Sequence, residues 1–186
     1  TKKDSGTNAL VNKLTSAPAK KDSANDKSNP LFEKFSLNID PKTGSVFPGP
    51  ILGFAATKDL EKVMEMLSKE EVKKDFKADV RFVWGAQPTD AEGKFYPLYA
   101  IKAMGGQPAL TGDAITSAQQ ESDQFGKPSI GMLMNPQGAS TWEKMTELAA
   151  SDPIGNKSIA IVLDNVVYSA PRVQNKISGG RSAITG

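Results

Sequence analysis

An α+β fold, with an antiparallel or mixed β-sheet and helices packed on one face, follows from three features of this sequence. Apolar residues recur at helical spacing in two separated stretches, one after Thr57 and one after Asn135-Pro136. β-branched and aromatic runs of strand length lie between and beyond them. Several of those runs are joined by turn residues in numbers small enough for hairpins, and no fixed-period repeat runs through the chain.

Taken in order, residues 1–28 are rich in Lys, Ser, Asn, Asp and Ala and hold no aromatic residue, a composition that cannot offset the entropy of ordering. They read as a polar linker or a partly docked tail, with Leu10, Val11 and Leu14 on one amphipathic turn. Asn29-Pro30 sets a capping side chain before a proline whose missing N–H costs nothing at a first helical position, and predicts a short helix through Phe35. From Asp40 to Gly53, Pro41, Gly44, Pro48, Gly49, Pro50 and Gly53 predict an extended, turn-rich loop. Thr57 then caps a helix in which Asp59 and Glu61 suit the positive end of the dipole, and Leu60, Val63, Met64 and Leu67 form a core-facing stripe. Arg81–Gly85 alternates as a strand, Ala91–Gly93 is turn material, and a second strand runs from about Phe95 to Met104 before Gly105-Gly106.

Ala114–Ser122 and Ser129–Met134, joined through Gly126-Lys127-Pro128, predict an antiparallel pair in which Ile130, Met132 and Met134 share a face. Asn135-Pro136 opens a helix with Ala139, Trp142, Met145 and Ala149 on one stripe, and Asp152-Pro153 stops it. Ser158–Leu163 and Val166–Ser169 flank Asp164-Asn165, residues that tolerate positive φ, and predict a hairpin. Pro171 confines the next segment to an edge or a loop, and Gly179-Gly180 leads into a last short strand at Arg181–Thr185.

Composition narrows the function classes. With 38% hydrophobic and 24% charged residues the chain is ordinary for a globular protein and too polar for a membrane-embedded one. No apolar run reaches the roughly 18 residues of a membrane-spanning helix. The chain opens on Thr1 with no signal peptide and stops directly after its last strand, which predicts a fragment of something longer. Of the net charge of +2, residues 1–29 supply +3, six lysines against three aspartates, which leaves −1 for the rest. No nucleic-acid partner is expected of a nearly neutral body.

Histidine and cysteine are both absent, which removes the commonest general base, the commonest transition-metal ligands and the thiol nucleophile. Asp113, Glu121, Asp123, Glu143, Glu147, Asp152 and Asp164 show no metal or glycosidase spacing and read as solvated helix and turn residues. Gly179-Gly180-Arg181-Ser182 lacks the phosphate-loop spacing and reads as a turn. No catalytic residue, metal ligand or cofactor is therefore assigned. Two groups are candidates for binding a partner. Met132 and Met134 beside Phe125 make either an adaptable peptide-binding surface or core filling, because thioethers repack readily. Phe47, Ile51 and Phe54, in or beside the Pro- and Gly-rich loop, either pin it to the core or stay exposed for a partner. Trp84 and Trp142 sit on patterned elements and are expected to be buried.

The second part of the chain carries a series of segments whose order and spacing say more than any one of them. These are Leu-Thr-Gly-Asp at 110–113, Gly-Lys-Pro-Ser-Ile at 126–130, Ile-Gly-Asn-Lys-Ser-Ile-Ala-Ile-Val-Leu-Asp at 154–164, Val-Tyr-Ser-Ala-Pro at 167–171 and Ile-Ser-Gly-Gly-Arg-Ser-Ala-Ile-Thr-Gly at 177–186. Over 110–186 the chain resembles the head of the first periplasmic domain of the SecD/SecDF protein-export family. Residues 29–109 resemble, more loosely, the family-variable upstream part of longer heads.

The resemblance implies a periplasmic location in a membrane-anchored protein, with the transmembrane segments outside this sequence. It implies a head that captures or guides unfolded preprotein leaving the SecYEG channel, beside other Sec accessory subunits, in export driven by the proton-motive force. It implies neither an enzyme nor a cofactor, and no proton-carrying membrane residue of the family maps onto this chain. Two rivals stand beside it. A self-contained periplasmic small-ligand or peptide-binding module would show a closed apolar pocket with a few convergent polar groups. A hydrolase would need a strongly shifted Lys or carboxylate next to a nucleophile.

Overall fold

The computed structural model describes residues 29–123, 125–151 and 157–185; the predicted tail and the Asp152-Pro153 helix stop lie outside them. In chain order the described elements are β1 (Phe35–Leu37), β2 (Ile51–Ala56), α1 (Leu60–Leu67), α2 (Glu70–Lys73), β3 (Val80–Trp84) and β4 (Phe95–Lys102). There follow β5 (Ile115–Ser122), β6 (Pro128–Met134), α3 (Pro136–Ala150), β7 (Ile161–Leu163), β8 (Val166–Ser169) and β9 (Arg181–Thr185). The fold is α+β. Its strands divide into three sheets rather than one, in the orders β1-β2-β4-β3, β5-β6-β9 and β7-β8.

Two compact units result, one holding residues up to Gly106 together with Val162–Tyr168, the other holding Gln107–Ile161 and Ser169–Gly186. In the first, the predicted stripe of α1 is real: Val63 and Leu67 are buried among Leu31, Phe35, Leu52, Ala55 and Leu98, with Leu60 and Met64 packed against them. Each fully buried Leu or Phe in such a cluster contributes about 1.5–3 kcal/mol over its exposed state.

Three sequence expectations fail in this unit. The residues after Pro30 form turns, not a helix. The Asn29 carbonyl accepts from the Phe32 N–H at 2.8 Å and its side chain accepts from the Leu31 N–H, closing a turn at once. The chain then extends because Phe35, opposite Ala55, is buried by pairing with β2. The loop predicted to reach Gly53 ends at Pro50. Ile51 lies opposite Tyr99 and Gly53 opposite Leu98, so Leu52 is an extra, bulged residue that lets a Gly-containing segment remain in the sheet. Thr57 does not cap α1; its hydroxyl donates to the Lys94 carbonyl at 3.1 Å instead.

The strands read from Arg81 and from Phe95 are present, and the turn between them is built by one carboxylate. Asp90 accepts the N–H groups of Phe95 at 2.7 Å and Lys94 at 2.9 Å. The Phe95 N–H is the largest influence holding the Asp90 carboxyl below its ordinary value, against a smaller opposing effect of burial. A depressed carboxyl stabilises the fold above the unfolded-state value, and that contribution is lost as pH falls through the depressed one.

In the second unit the expected pair β5–β6 forms, antiparallel, and β9 pairs on the other side of β6. α3 begins as its sequence predicts, with Asn135 Oδ1 accepting from the Gly138 N–H at 2.8 Å and Pro136 at the first position. The hairpin β7–β8 turns through Asp164 and Asn165, at φ 48° and 61°. Its tip belongs to the first unit, where Val167 is buried, bridges Gly85 and accepts from the Ala86 N–H at 2.8 Å.

Gly53 meets the Phe35 ring so closely that a Cβ would stand 2.5 Å from Phe35 Cζ and 2.3 Å from the Ser36 carbonyl oxygen. Gly53→Ala is therefore expected to lower stability by about 2–3 kcal/mol through overpacking, read as an earlier urea midpoint at unchanged m-value.

Candidate functional site

β6 is the central strand of the three-stranded sheet, and its two faces differ. Ser129, Gly131 and Leu133 share one face with Glu121 and Arg181, by the register of β5 and β9. Arg181 Nη2 donates to Glu121 Oε1 at 2.9 Å across that face, and the Glu121 carboxylate lies over Gly131, where a Cβ would come within 2.4 Å of its Cδ. Ile130, Met132 and Met134 share the opposite face with Ser182 and Ile184, as their alternation predicts. Met132, Met134 and Ile184 are half-buried there and Ser182 is buried, while Ile130, nearer the hairpin tip, is 49% exposed.

Phe125 projects from that tip with 77% of its surface exposed, on a turn fixed by Asp123, whose Oδ1 accepts the Phe125 and Lys127 N–H groups at 2.8 Å each. The three candidates of this unit thus divide. Met132 and Met134 are half-buried, whereas Phe125 is exposed.

The other three candidates lie in the first unit. Phe47 is in the loop, 47% exposed, although its N–H donates to the Asn38 carbonyl at 3.0 Å and Val46 bridges Ile39. The backbone is pinned while the ring is not. Ile51 and Phe54 are half-buried on β2, and the bulge at Leu52 brings them onto the same face, in register with Tyr99 and Pro97. Burial raises the Tyr99 hydroxyl above its ordinary value.

Sequence reasoning missed other exposed apolar side chains. Leu163 and Tyr168 are both exposed, and the register set by the Asp164-Asn165 turn would have placed them together on the face opposite buried Val167. Leu148 stands exposed on α3 without any such signal.

The carboxylates have structural occupations. Glu143 and Glu147 on α3 hold Lys176 at 2.8 and 3.4 Å. The hydrogen bond that Lys176 donates to Glu143 is the main reason its ammonium is raised above its ordinary value, against a smaller opposing effect of burial. A raised lysine stabilises the fold below its unfolded-state value, and that contribution is lost only as pH climbs through the raised one. Asp113 accepts from the Thr111 hydroxyl. Among the described residues no three acidic side chains converge to hold a metal ion. A recess of about 150 Å³ at the start of α3, lined by Leu110, Thr111, Asp113, Asn135, Gln137 and Thr141, is well below the ~300–1,000 Å³ of a small-molecule site. Trp142 is buried and Trp84 half-buried, and neither indole N–H has a partner among the described residues.

A family model described as SecDF, P1 head subdomain, matches residues 87–186, more than half of the chain. The chain belongs to the SecDF P1 head family. The match begins upstream of Leu110 and takes in all of β4. Among relatives, the protein translocase subunit SecD of Rhodothermus marinus is 36% identical over 138 residues, covering 74% of this chain and 21% of that protein. The protein translocase subunit SecDF of Thermus thermophilus is 41% identical over 81 residues, 44% of this chain and 10% of that one. A crystal structure of SecDF from Thermus thermophilus, described as a translocon-associated membrane protein, matches 82% of this chain and 16% of that one at 26% identity, with a TM-score of 0.37. The chain thus spans about a fifth or less of the length of these relatives. No helix among the described residues is long and apolar enough to cross a membrane.

α3 of this P1 head is fastened to the segment before β9 by Thr146, fully buried, whose hydroxyl donates to the Trp142 carbonyl at 2.9 Å and accepts the Ile177 N–H at 2.9 Å. Thr146→Val keeps the shape and removes the acceptor, so a loss of about 1–3 kcal/mol is expected, with faster amide exchange at Ile177. Unchanged exchange at Ile177 would show that the bond does not hold the segment.

Proposed function

We propose that this chain is the head part of a SecD or SecDF subunit, which captures or guides preprotein leaving the SecYEG channel on the periplasmic side during export driven by the proton-motive force. The observation that carries the reading is the family match over residues 87–186. The names of the relatives, protein translocase subunits, support a role in translocation. Membrane anchoring and energy coupling belong, in this reading, to parts of the protein outside this chain.

The physical chemistry of the chain is in keeping with it. A receiver of many unfolded sequences works with adaptable or exposed apolar side chains and with backbone groups rather than a shaped pocket. Phe125, Ile130 and Phe47 offer apolar surface to solvent, and Phe54, Ile51, Met132 and Met134 are half-buried in their respective sheets. The near-neutral body favours clients of neither charge.

Titrating isotope-labelled protein with an unfolded, signal-bearing preprotein, and separately with its folded mature form, tests the reading through amide shifts. Shifts confined to one patch that includes Phe125 or Phe47, and seen only with the unfolded client, are expected. Absence of shifts at about millimolar client, the weakest affinity compatible with holding a chain, would leave the head as a spacer or a docking surface for another subunit.

A further inference from the structure

We propose that the open edge of β5 is a strand-addition site, at which an extended polypeptide segment pairs with the outward backbone groups of Ala118, Gln120 and Ser122. The proposal rests on the reading that the chain receives unfolded polypeptide, and assigns the chemistry of reception to backbone hydrogen bonds.

The phase of the ladder carries it. The Met134 N–H donates to the Gly180 carbonyl at 2.8 Å, and these two positions stand opposite each other in the β6–β9 register. In an antiparallel pair, directly opposed residues that exchange a hydrogen bond alternate with pairs that exchange none. The even-numbered residues of β6 therefore turn their N–H and C=O groups toward β9, and the odd-numbered ones toward β5. From the β5 side, the Asp123 N–H donates to the Lys127 carbonyl at 2.8 Å, and the Asn135 N–H to the Ala114 carbonyl at 2.9 Å. Both bonds agree with that phase. Ser117, Gln119 and Glu121 thus spend their backbone groups on Leu133, Gly131 and Ser129. Ala118, Gln120 and Ser122 present theirs outward, and among the described residues no strand pairs with that side of β5.

Exposed edges are ordinarily blunted by lysine, proline, a bulge or a covering segment. β5 carries neither lysine nor proline from Ile115 to Ser122, and its bulge sits at Thr116, beyond the three open residues. Ala118, Gln119 and Gln120 are exposed and uncharged, so the edge selects by neither side-chain charge nor bulk. A chain of folded secondary structure has no free backbone groups to offer such an edge, whereas an extended one of any sequence has them at the matching two-residue spacing. The row Gln120–Ile130–Ile184 runs across the sheet from the open edge, and a residue of an added strand opposite Gln120 would extend that row.

The test is amide exchange of the whole chain with and without an unfolded preprotein segment, together with two matched variants. Gln120→Pro removes one outward N–H of β5, and Ala183→Pro removes one outward N–H of β9, the opposite edge; proline is tolerated at such positions because no ladder bond is lost. Slowing of exchange by about tenfold or more at Ala118, Gln120 and Ser122 is expected at saturating client, with Arg181, Ala183 and Thr185 unchanged. Client binding by Gln120→Pro is expected to weaken by about tenfold, the value of roughly one backbone hydrogen bond, while Ala183→Pro binds as the parent does. Binding by the parent with no protection at these amides, or equal binding by both variants, overturns the edge and leaves capture by side chains standing. No binding by the parent overturns both. Protection at the same amides that grows with protein concentration in the absence of client assigns the edge to a second copy of this chain and overturns the proposal.

Discussion

Hydrogen bonding on both sides of β6 is the constraint from which the second unit takes its form. β5 reaches it through a local hairpin, whereas β9 returns to it from nearly fifty residues further along the chain. That return needs the turn at Gly179-Gly180, with φ of 84° and 72°, and it needs Gly180 against the Ala139 Cβ of α3, where a side-chain carbon would stand 2.8 Å away. Thr146 and Lys176 then tie the returning segment to α3. One strand thereby fixes which faces are covered, which residues are left at the edges and which backbone groups remain unspent.

The first unit answers the same problem of close packing with a bulge. Leu52 adds one residue to β2, so that Leu52 and Gly53 are both buried while Ile51 and Phe54 emerge together on the other face. Charges in both units organise turns and span neighbouring elements. Asp90 and Asp123 organise turns through backbone N–H groups, and Glu121 and Arg181 cover a glycine. Acid strips the Asp90 contacts, and strong alkali weakens the Lys176 clamp.

How much of this was legible depends on how local each signal was. Asn135-Pro136 and Asp164-Asn165 each specify their own backbone geometry, and the helix and hairpin they announce are in place. Asn29-Pro30 carries the same cap-and-proline signal, but the burial of Phe35 against β2 outweighs it. Gly53 looked like a breaker because its reason for being glycine, the Phe35 ring, lies eighteen residues away. Of the candidate residues, Phe125 and Phe47 are exposed in a turn and a loop, where the sequence left burial and exposure both open. The half-burial of Met132, Met134, Ile51 and Phe54 depends on what packs across the sheet, which no single sequence states. Thr146 was invisible for the same cause: its partner, the Ile177 N–H, is a backbone group.

A receiver of unfolded polypeptide, as proposed for this chain, gains little from a deep pocket and much from groups that every polypeptide can satisfy. The phase of the β5–β6–β9 ladder decides which backbone groups stay unspent, and native-state amide exchange of the unliganded protein reads it directly. Slow exchange at Ser117, Gln119 and Glu121, alternating with fast exchange at Ala118, Gln120 and Ser122, is the predicted pattern. Uniform protection along β5, or protection with the opposite alternation, would contradict it.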